Sequence, residues 1–523
     1  MRVLFVASEV YPLVKTGGLA DVVGALPIAL AELGVDVRVL VPGYPKVLAG
    51  LHARGREVEL HGLVGGGPAK LMYGRVGKLE LLVLDAPHLY NRPGNPYVDQ
   101  HGRDFGDNHL RFGALCHAAA WLAGPEGGDR WRPELIHGHD WQSGLVPAYV
   151  ALMPPQQRVA TITTIHNLAY QGVFRADVMG ALRLPGSMLD IHGVEFHGHL
   201  GFLKAGLWYC DKITTVSPTY ARQIQTETYG HGLHGLLRRR DADLYGILNG
   251  IDTDVWNPAT DPHLPAPYSA DDLTGKRIGK RALQLGLGLH PDPDAPLFVV
   301  VSRLVTMKGL DLLLSAGRSI LERGGQLAVL GSGEERLVDG FQQAARLNPG
   351  RVAYRGGYDE PLAHRMQAGG DAIIIPSRTE PCGLTQMYGL RYGTVPVVRR
   401  TGGLADSVID TTPDTLSAGL ATGVLFNDID ASALAWALGR TIALYHNRPV
   451  WQQIVRHGMQ EDFSGAAAPP ATSTSTAARS ATERTAERLS VGSLAYLAPS
   501  PSVRGCRVAA RATMCYERLR QAR

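Results

Sequence analysis

Arg303 and Lys308 stand five residues apart in Ser302-Arg303-Leu304-Val305-Thr306-Met307-Lys308-Gly309, directly after an apolar run. Two cations so spaced in one loop can both reach a diphosphate, Arg as a planar fork and Lys as a point charge. By itself the loop is better explained by two solvated surface cations. Pro376-Ser377-Arg378-Thr379-Glu380-Pro381-Cys382-Gly383-Leu384-Thr385 follows another apolar run. Its carboxylate, Glu380, suits sugar hydroxyls or a developing positive charge. The N–H groups from Cys382 to Thr385 suit an anion. The competing reading makes Thr379 and Glu380 helix caps. Cys382 has no histidine near it in sequence, which argues against a nucleophilic thiolate.

Lys15-Thr16-Gly17-Gly18 follows the first apolar run and opens a helix-like stretch. Backbone N–H groups and the positive helix end point outward there, glycine admits a ligand closely, and Lys15 adds a full charge. The segment is neither a Walker loop nor a GxGxxG fingerprint, and alone it reads as a structural turn. His137-Gly138-His139-Asp140-Trp141 has the spacing of metal ligands, but no further ligand cluster accompanies it. Carbohydrate contact suits it better, since Asp accepts hydroxyl hydrogen bonds and Trp stacks on a sugar face. His166, in Thr164-Ile165-His166-Asn167-Leu168, ends a strand on the edge where open α/β sheets bind ligands. A satisfied core histidine is the bland alternative. Gly331-Ser332-Gly333-Glu334-Glu335-Arg336 lacks a third glycine and its two acids repel a pyrophosphate, which argues against nicotinamide or flavin.

These segments need elements to hold them. Apolar runs of strand length fall at Val3–Ala7, Asp36–Val41, Leu79–Asp85, Leu135–His137, Ala160–His166 and Lys212–Val216. The second half repeats the scheme at Leu297–Val301, Gln326–Leu330, Ala372–Ile375 and Val395–Val398. Helical patterns follow at about Leu19–Leu33 and Leu310–Arg323. The alternation predicts parallel sheets with helices on both faces. The Pro-, Asp- and Gly-rich stretch from Asp261 to Pro296 reads as a loop-rich entry into a second domain. Thr16-Gly17-Gly18-Leu19-Ala20-Asp21 recurs letter for letter as Thr401-Gly402-Gly403-Leu404-Ala405-Asp406. That repeat suggests two related halves facing one cleft, or one convenient strand–helix turn used twice.

Composition sets the bounds. The chain has 523 residues, which at about 150 per domain predicts more than one domain. Hydrophobic residues at 45% and charged residues at 19% exclude wholesale disorder. Net charge is only +4, too balanced to imply nucleic acid or a membrane surface. The five cysteines form no CxxC pair, so neither a disulfide framework nor a zinc knuckle is indicated. The apolar start is cut off by Glu9 and fits a first buried strand rather than a signal peptide. No apolar run has membrane-spanning length, and a reducing cytoplasm is expected. Past Phe463 the strand–helix alternation stops. Nine arginines and three glutamates, with no lysine or aspartate, fall there, so the tail carries +6 and the first 463 residues −2. Fourteen Ala, eight Ser and six Thr complete the picture of a disordered or only locally helical tail. We read it as an altered C-terminus, such as an out-of-frame reading produces.

Taken in order, the motifs resemble the glycogen/starch synthase family of retaining glucosyltransferases from Met1 to about Phe463. The resemblance is carried by Lys15-Thr16-Gly17-Gly18-Leu19, His139-Asp140-Trp141, His166-Asn167-Leu168-Ala169-Tyr170-Gln171-Gly172, Asn249-Gly250-Ile251-Asp252, Ser302-Arg303 with Lys308-Gly309, and Glu380-Pro381-Cys382-Gly383-Leu384-Thr385-Gln386. It implies an α/β fold of two facing Rossmann-like domains of GT-B type with the active site between them. The expected divisions are 1–245 on the acceptor side, 246–463 for the nucleotide sugar, and the tail 464–523. It implies ADP-glucose as donor, the non-reducing 4-hydroxyl of an α-1,4-glucan as acceptor, and no metal or organic cofactor.

By the same resemblance, Arg303 and Lys308 neutralise the leaving diphosphate, helped by Lys15, Gly18 and the backbone around Leu384 and Thr385. Glu380 and the N–H groups of Cys382 and Gly383 hold the glucose hydroxyls. His166 and Asn249 line the sugar site, Asp140 orients a substrate, and Tyr358 stacks on adenine. The family's C-terminal helix, which crosses back onto the N-terminal domain, falls in the aberrant tail. Two competing readings stand beside this one. They are a related glucosyltransferase using UDP-glucose or another acceptor, and a catalytically inactive glucan- or nucleotide-binding protein disabled by its tail.

Overall fold

The computed structural model describes residues 1–52, 55–127 and 131–464. The expectations for the tail and for a crossing helix within it concern residues beyond 464 and lie outside the described residues.

Each apolar run expected to be a strand forms one. Leu135–His139 and Ala160–Ile165 are buried along their whole length, and Arg2–Val6 nearly so. Continuous burial is what a parallel strand covered on both faces requires. These strands belong to a nine-stranded sheet. Arg2–Val6 lies within it, parallel to Asp36–Pro42 on one side and to Leu135–His139 on the other. The strand order therefore reverses beside Arg2–Val6, the kind of position where open α/β sheets form a ligand crevice. Register sets Val6 against Gly138 and His139 against Thr164. The loops carrying Lys15, Asp140 and His166 thus leave the sheet at one edge.

The expectation of parallel pairing needs correction at the other end of that sheet. Lys70–Val76 runs antiparallel to Leu79–Asp85, and Glu57–Glu59 antiparallel to Lys70–Val76. Only Gly77 and Lys78 join the two longer strands, with Gly77 at φ +56°. A parallel connection needs a dozen or more residues, so this one can only be a hairpin. A small antiparallel sheet of Val173–Arg175, His199–Gly201 and Glu195–Phe196 was also not foreseen.

The second half is a six-stranded parallel sheet. Its spatial order is Val352–Arg355, Gln326–Leu330, Leu297–Val301, Ala372–Ile375, Val395–Arg399, Val424–Phe426. Numbered along the chain that is 3-2-1-4-5-6, the doubly wound Rossmann order. Leu244–Gly246 pairs with Lys212–Thr215 of the first sheet, and the expected division at 245/246 falls within that strand. The stretch expected to be loop-rich contains a 14-residue helix, Thr274–Leu287. Its charged look hid it. Lys276 turns inward and donates to the carbonyls of Ala368, Gly370 and Tyr392 and to Thr394 Oγ1 at 2.8–3.0 Å. The helix expected over Leu310–Arg323 is two, Leu310–Ala316 and Arg318–Glu322, interrupted at Gly317. No helix among the described residues is long and apolar enough to cross a membrane.

The halves meet along a strip. Ser217 Oγ donates to Pro381 O at 2.6 Å, and Thr219 N and Oγ1 donate to Asp406 at 2.8 and 2.6 Å. Gln223 donates to Thr401 Oγ1 and accepts from Gly402 N, both at 3.1 Å. Elsewhere along the interface Tyr11 donates its hydroxyl to Glu360 at 3.2 Å.

The repeated hexapeptide therefore does two different jobs. Its first copy opens the helix Gly18–Glu32, and a Cβ on Gly18 would meet only Leu384 of the other half, at 3.5 Å. Its second copy opens Gly402–Ser407, and a Cβ on Gly403 would lie 2.1 Å from Cys382 O. Gly18→Ala is expected to fold with an unchanged melting temperature. Gly403→Ala is expected to lose about 1–3 kcal/mol by overpacking against backbone. Thermal melts of the two variants check this, and equal shifts would refute it.

Candidate active site

Glu380 follows the strand Ala372–Ile375 and is only 7% exposed. Lys308 Nζ donates to its Oε1 and Oε2 at 2.8 and 2.6 Å, and Ser377 Oγ donates to Oε2 at 2.7 Å. The loop is held from below. Gly403 N donates to the carbonyls of Glu380 and Pro381, and Arg399 donates to those of Ser377 and Arg378. Gly383 sits at φ +72°, and a Cβ there would overlap the Gln386 side chain, so the turn requires glycine. The helix begins only at Thr385, with Leu384 in the capping position. The alternative of Thr379 and Glu380 as caps is thereby removed.

Lys308 closes the short turn Thr306–Lys308 after the strand Leu297–Val301. Gly309 follows at φ +68°, where a Cβ would fall 2.0 Å from Pro376 O. This close approach brings Lys308 to Glu380. Arg303 lies in the same loop, exposed; its carbonyl accepts from Ser302 Oγ and Val305 N, while its guanidinium has no hydrogen bond or ion pair among the described residues. Tyr358 is 66% exposed, just ahead of the helix Glu360–Gly369.

Across the cleft, Lys15 donates to Asp21 at 2.7 Å. Buried Glu9 holds the Lys15–Gly18 loop from within. Its carboxylate accepts from Thr16 N, from Thr16 Oγ1 at 2.5 Å, from Gly17 N at 3.3 Å and from the Tyr97 hydroxyl. Glu9, Tyr97 and Asp21 were not singled out from the sequence as site residues. The one available signal was an acid interrupting an apolar strand, since an acid that bonds its own loop has no spacing signature.

Asp140, at φ +57°, accepts from the backbone N–H of His166 at 2.7 Å and of Asn167 at 3.3 Å. It thus fixes the edge that carries His166. His166 and Asn249 line one cavity of about 360 Å³ between the helix Gly18–Glu32 and the sheet. The structure therefore brings together Lys308 with Glu380, Asp140 with His166, His166 with Asn249, and Gly18 with Leu384. It leaves Arg303 open to solvent, and it sets the exposed Tyr358 beside Glu360, Tyr11 and Asp21, the partner of Lys15.

Burial raises the Asp140 carboxyl from 3.8 to about 7, against the two backbone N–H groups that favour its charge. Stability from the protonated form is complete below pH 3.8 and lost as pH rises through about 7. Asp140→Asn stays neutral, so its melting temperature is expected to fall less than the parent's between pH 5.5 and 8. Parallel pH profiles would contradict the assignment.

A family model described as Starch synthase catalytic domain matches residues 2–239, and one described as Glycosyl transferases group 1 matches residues 289–456. Glycogen synthase from Paramagnetospirillum magneticum is 51% identical over 466 residues, covering 88% of this chain and 94% of that protein. The chain belongs to the glycogen synthase family. It is accordingly a glycosyltransferase, with the two facing Rossmann-like domains of GT-B enzymes. A second member of the glycogen synthase family, from Roseobacter denitrificans, is 53% identical over 460 residues, with 88% and 95% covered. Among solved structures, the catalytic domain of Starch Synthase IV from Arabidopsis thaliana, bound to ADP and acarbose, superposes with a TM-score of 0.79. It is 33% identical and covers 93% of this chain and 98% of that one.

Proposed function

We propose that the chain transfers glucose from ADP-glucose to the non-reducing 4-hydroxyl of an α-1,4-glucan, with retention at the anomeric carbon (EC 2.4.1.21). The carrying observation is the Lys308–Glu380 pair, with the exposed Arg303 in the same loop as Lys308, set opposite the Lys15–Gly18 loop. ADP and acarbose in the Arabidopsis relative support the same substrate classes. We place the division of labour at 1–245 for the acceptor side and 246–463 for the nucleotide sugar, and the reaction in the cytoplasm.

Breaking the C1–O bond develops an oxocarbenium-like sugar and a diphosphate anion together. Fixed cations at the diphosphate act where that charge grows. An ammonium has three donors. Lys308 gives Glu380 its two short contacts and keeps a donor for a phosphate oxygen, while Arg303 offers its whole fork. Glu380, held by Lys308 and Ser377, is a fixed acceptor for glucose hydroxyls. Its carboxylate is neutralised rather than poised for attack, which favours front-face transfer with the departing phosphate oxygen taking the acceptor proton. Trapping a covalent glucosyl–Glu380 adduct would contradict this.

The deciding assay is incorporation of labelled glucose into glycogen by the full chain. ADP-glucose is expected to be the preferred donor. Equal rates from UDP-glucose would overturn the donor assignment. No transfer from either donor by folded protein would overturn the enzymatic reading.

A further inference from the structure

His139 has no part in the reaction as described, yet it faces the one histidine that does. His139 Nδ1 lies 3.0 Å from His166 Nε2, so one of the two nitrogens donates and the other accepts. The second nitrogen of His139, Nε2, is buried from water and has no partner. His137 stacks on His139 with ring centroids 4.3 Å apart and repeats the pattern. Its Nε2 lies 2.6 Å from Thr164 Oγ1, while its Nδ1 is buried and bare. Phe5 covers both rings, with centroids at 4.7 and 4.9 Å.

All three rings are neutral. Burial pushes His137 and His166 down to about 3 and takes His139 well below its usual range. A neutral imidazole carries one proton, and its position is set by what the other nitrogen meets. A buried N–H without an acceptor is the rarer defect, and a buried lone pair without a donor is better tolerated. The proton of His139 therefore belongs on Nδ1, pointing at His166 Nε2. His166 Nε2 is then the acceptor, and His166 carries its own proton on Nδ1. That atom makes no hydrogen bond to the described residues, and the half-buried ring borders the cavity shared with Asn249.

We propose that His139 is a positioning residue that locks His166 in its Nδ1-protonated tautomer, so that His166 meets the bound sugar nucleotide as a hydrogen-bond donor to an oxygen. The functional half rests on the reading above, in which His166 lines the sugar site. Asp140, which fixes the His166 backbone, and His139, which fixes the ring, then hold it at two points.

The test has two arms. In the unsubstituted full chain labelled with ¹⁵N-histidine, His166 signals, assigned by their loss in His166→Ala, are expected to show a protonated Nδ1 and a bare Nε2 near neutral pH. The reverse tautomer overturns the proposal. In kinetics, His139→Asn places an amide N–H₂ where Nδ1 stands, and His139→Phe keeps the ring volume without a donor. His139→Asn is expected to stay within about threefold of the parent turnover. His139→Phe is expected to lose ten- to a hundredfold in kcat with the KM for glucan unchanged. Equal losses in both variants, or none in His139→Phe, overturn the proposal. Full turnover by His166→Ala overturns the premise instead, and the tautomer signal tells that failure from the first.

Discussion

Replacing Arg303 with alanine is expected to lower turnover with ADP-glucose by about 10²–10³ while leaving the melting temperature where it was. The two halves of that expectation come from one observation. Arg303 is exposed and its guanidinium makes no hydrogen bond or ion pair among the described residues, so the folded protein loses nothing when the side chain goes. On the function proposed above, an unpartnered guanidinium in the loop that carries Lys308 is free to take the diphosphate. Removing it withdraws a fixed bidentate donor from the place where the leaving diphosphate gathers charge. Lysine at this position is expected to recover little, because a point charge does not reproduce the fork. Steady-state kinetics beside a thermal melt decide it. A large drop in melting temperature would show a structural residue, and unchanged turnover would remove Arg303 from the site.

Glu380→Ala is expected to fail in both respects. The Glu380 side chain is 9% exposed and the Lys308 side chain 23%. Deleting the acid leaves an ammonium without its counter-charge and strands the Ser377 hydroxyl. A broken buried pair costs about 3–5 kcal/mol, and the partial access of Lys308 to water brings this to about 2–3 kcal/mol. Turnover is expected to collapse as well, since the sugar loses its fixed acceptor and Lys308 its orientation. The two effects separate in Lys308→Met/Glu380→Gln, which removes both charges. That double variant is expected to regain most of the stability and none of the turnover. If it melts as low as Glu380→Ala, the ion pair is not what holds the loop.

The strands were legible because parallel strands covered on both faces are written as unbroken apolar runs, as at Leu297–Val301 and Ala160–Ile165. The helix Thr274–Leu287 was not, because its inward positions include Lys276 and Lys280, whose ammonium groups are satisfied by distant carbonyls and hydroxyls and, for Lys280, by the Asp371 carboxylate. In the site, cations and acids next to glycine-rich turns announced themselves. Glu9 did not, because its partners are the backbone of its own loop and Tyr97, 88 residues away. The hexapeptide repeat shows the limit from the other side. Its two aspartates are the same letter in the same frame. Asp21 pairs with Lys15, whereas Asp406 takes Thr219 from the opposite half. What a local sequence does depends on what the fold places opposite it.

That last contact has a mechanical side. The five hydrogen bonds between Ser217, Thr219 and Gln223 on one side and Pro381, Thr401, Gly402 and Asp406 on the other lie along one short helix, Pro218–Gln223, and its cap. Sliding the halves past each other breaks all five. Swinging them about that line breaks the Tyr11–Glu360 bond and leaves the five in place. The molecule is thus a clamp with a stiff axle and a light catch. Any swing about the axle must release the catch at Tyr11, while the five bonds hold the two halves in register along it.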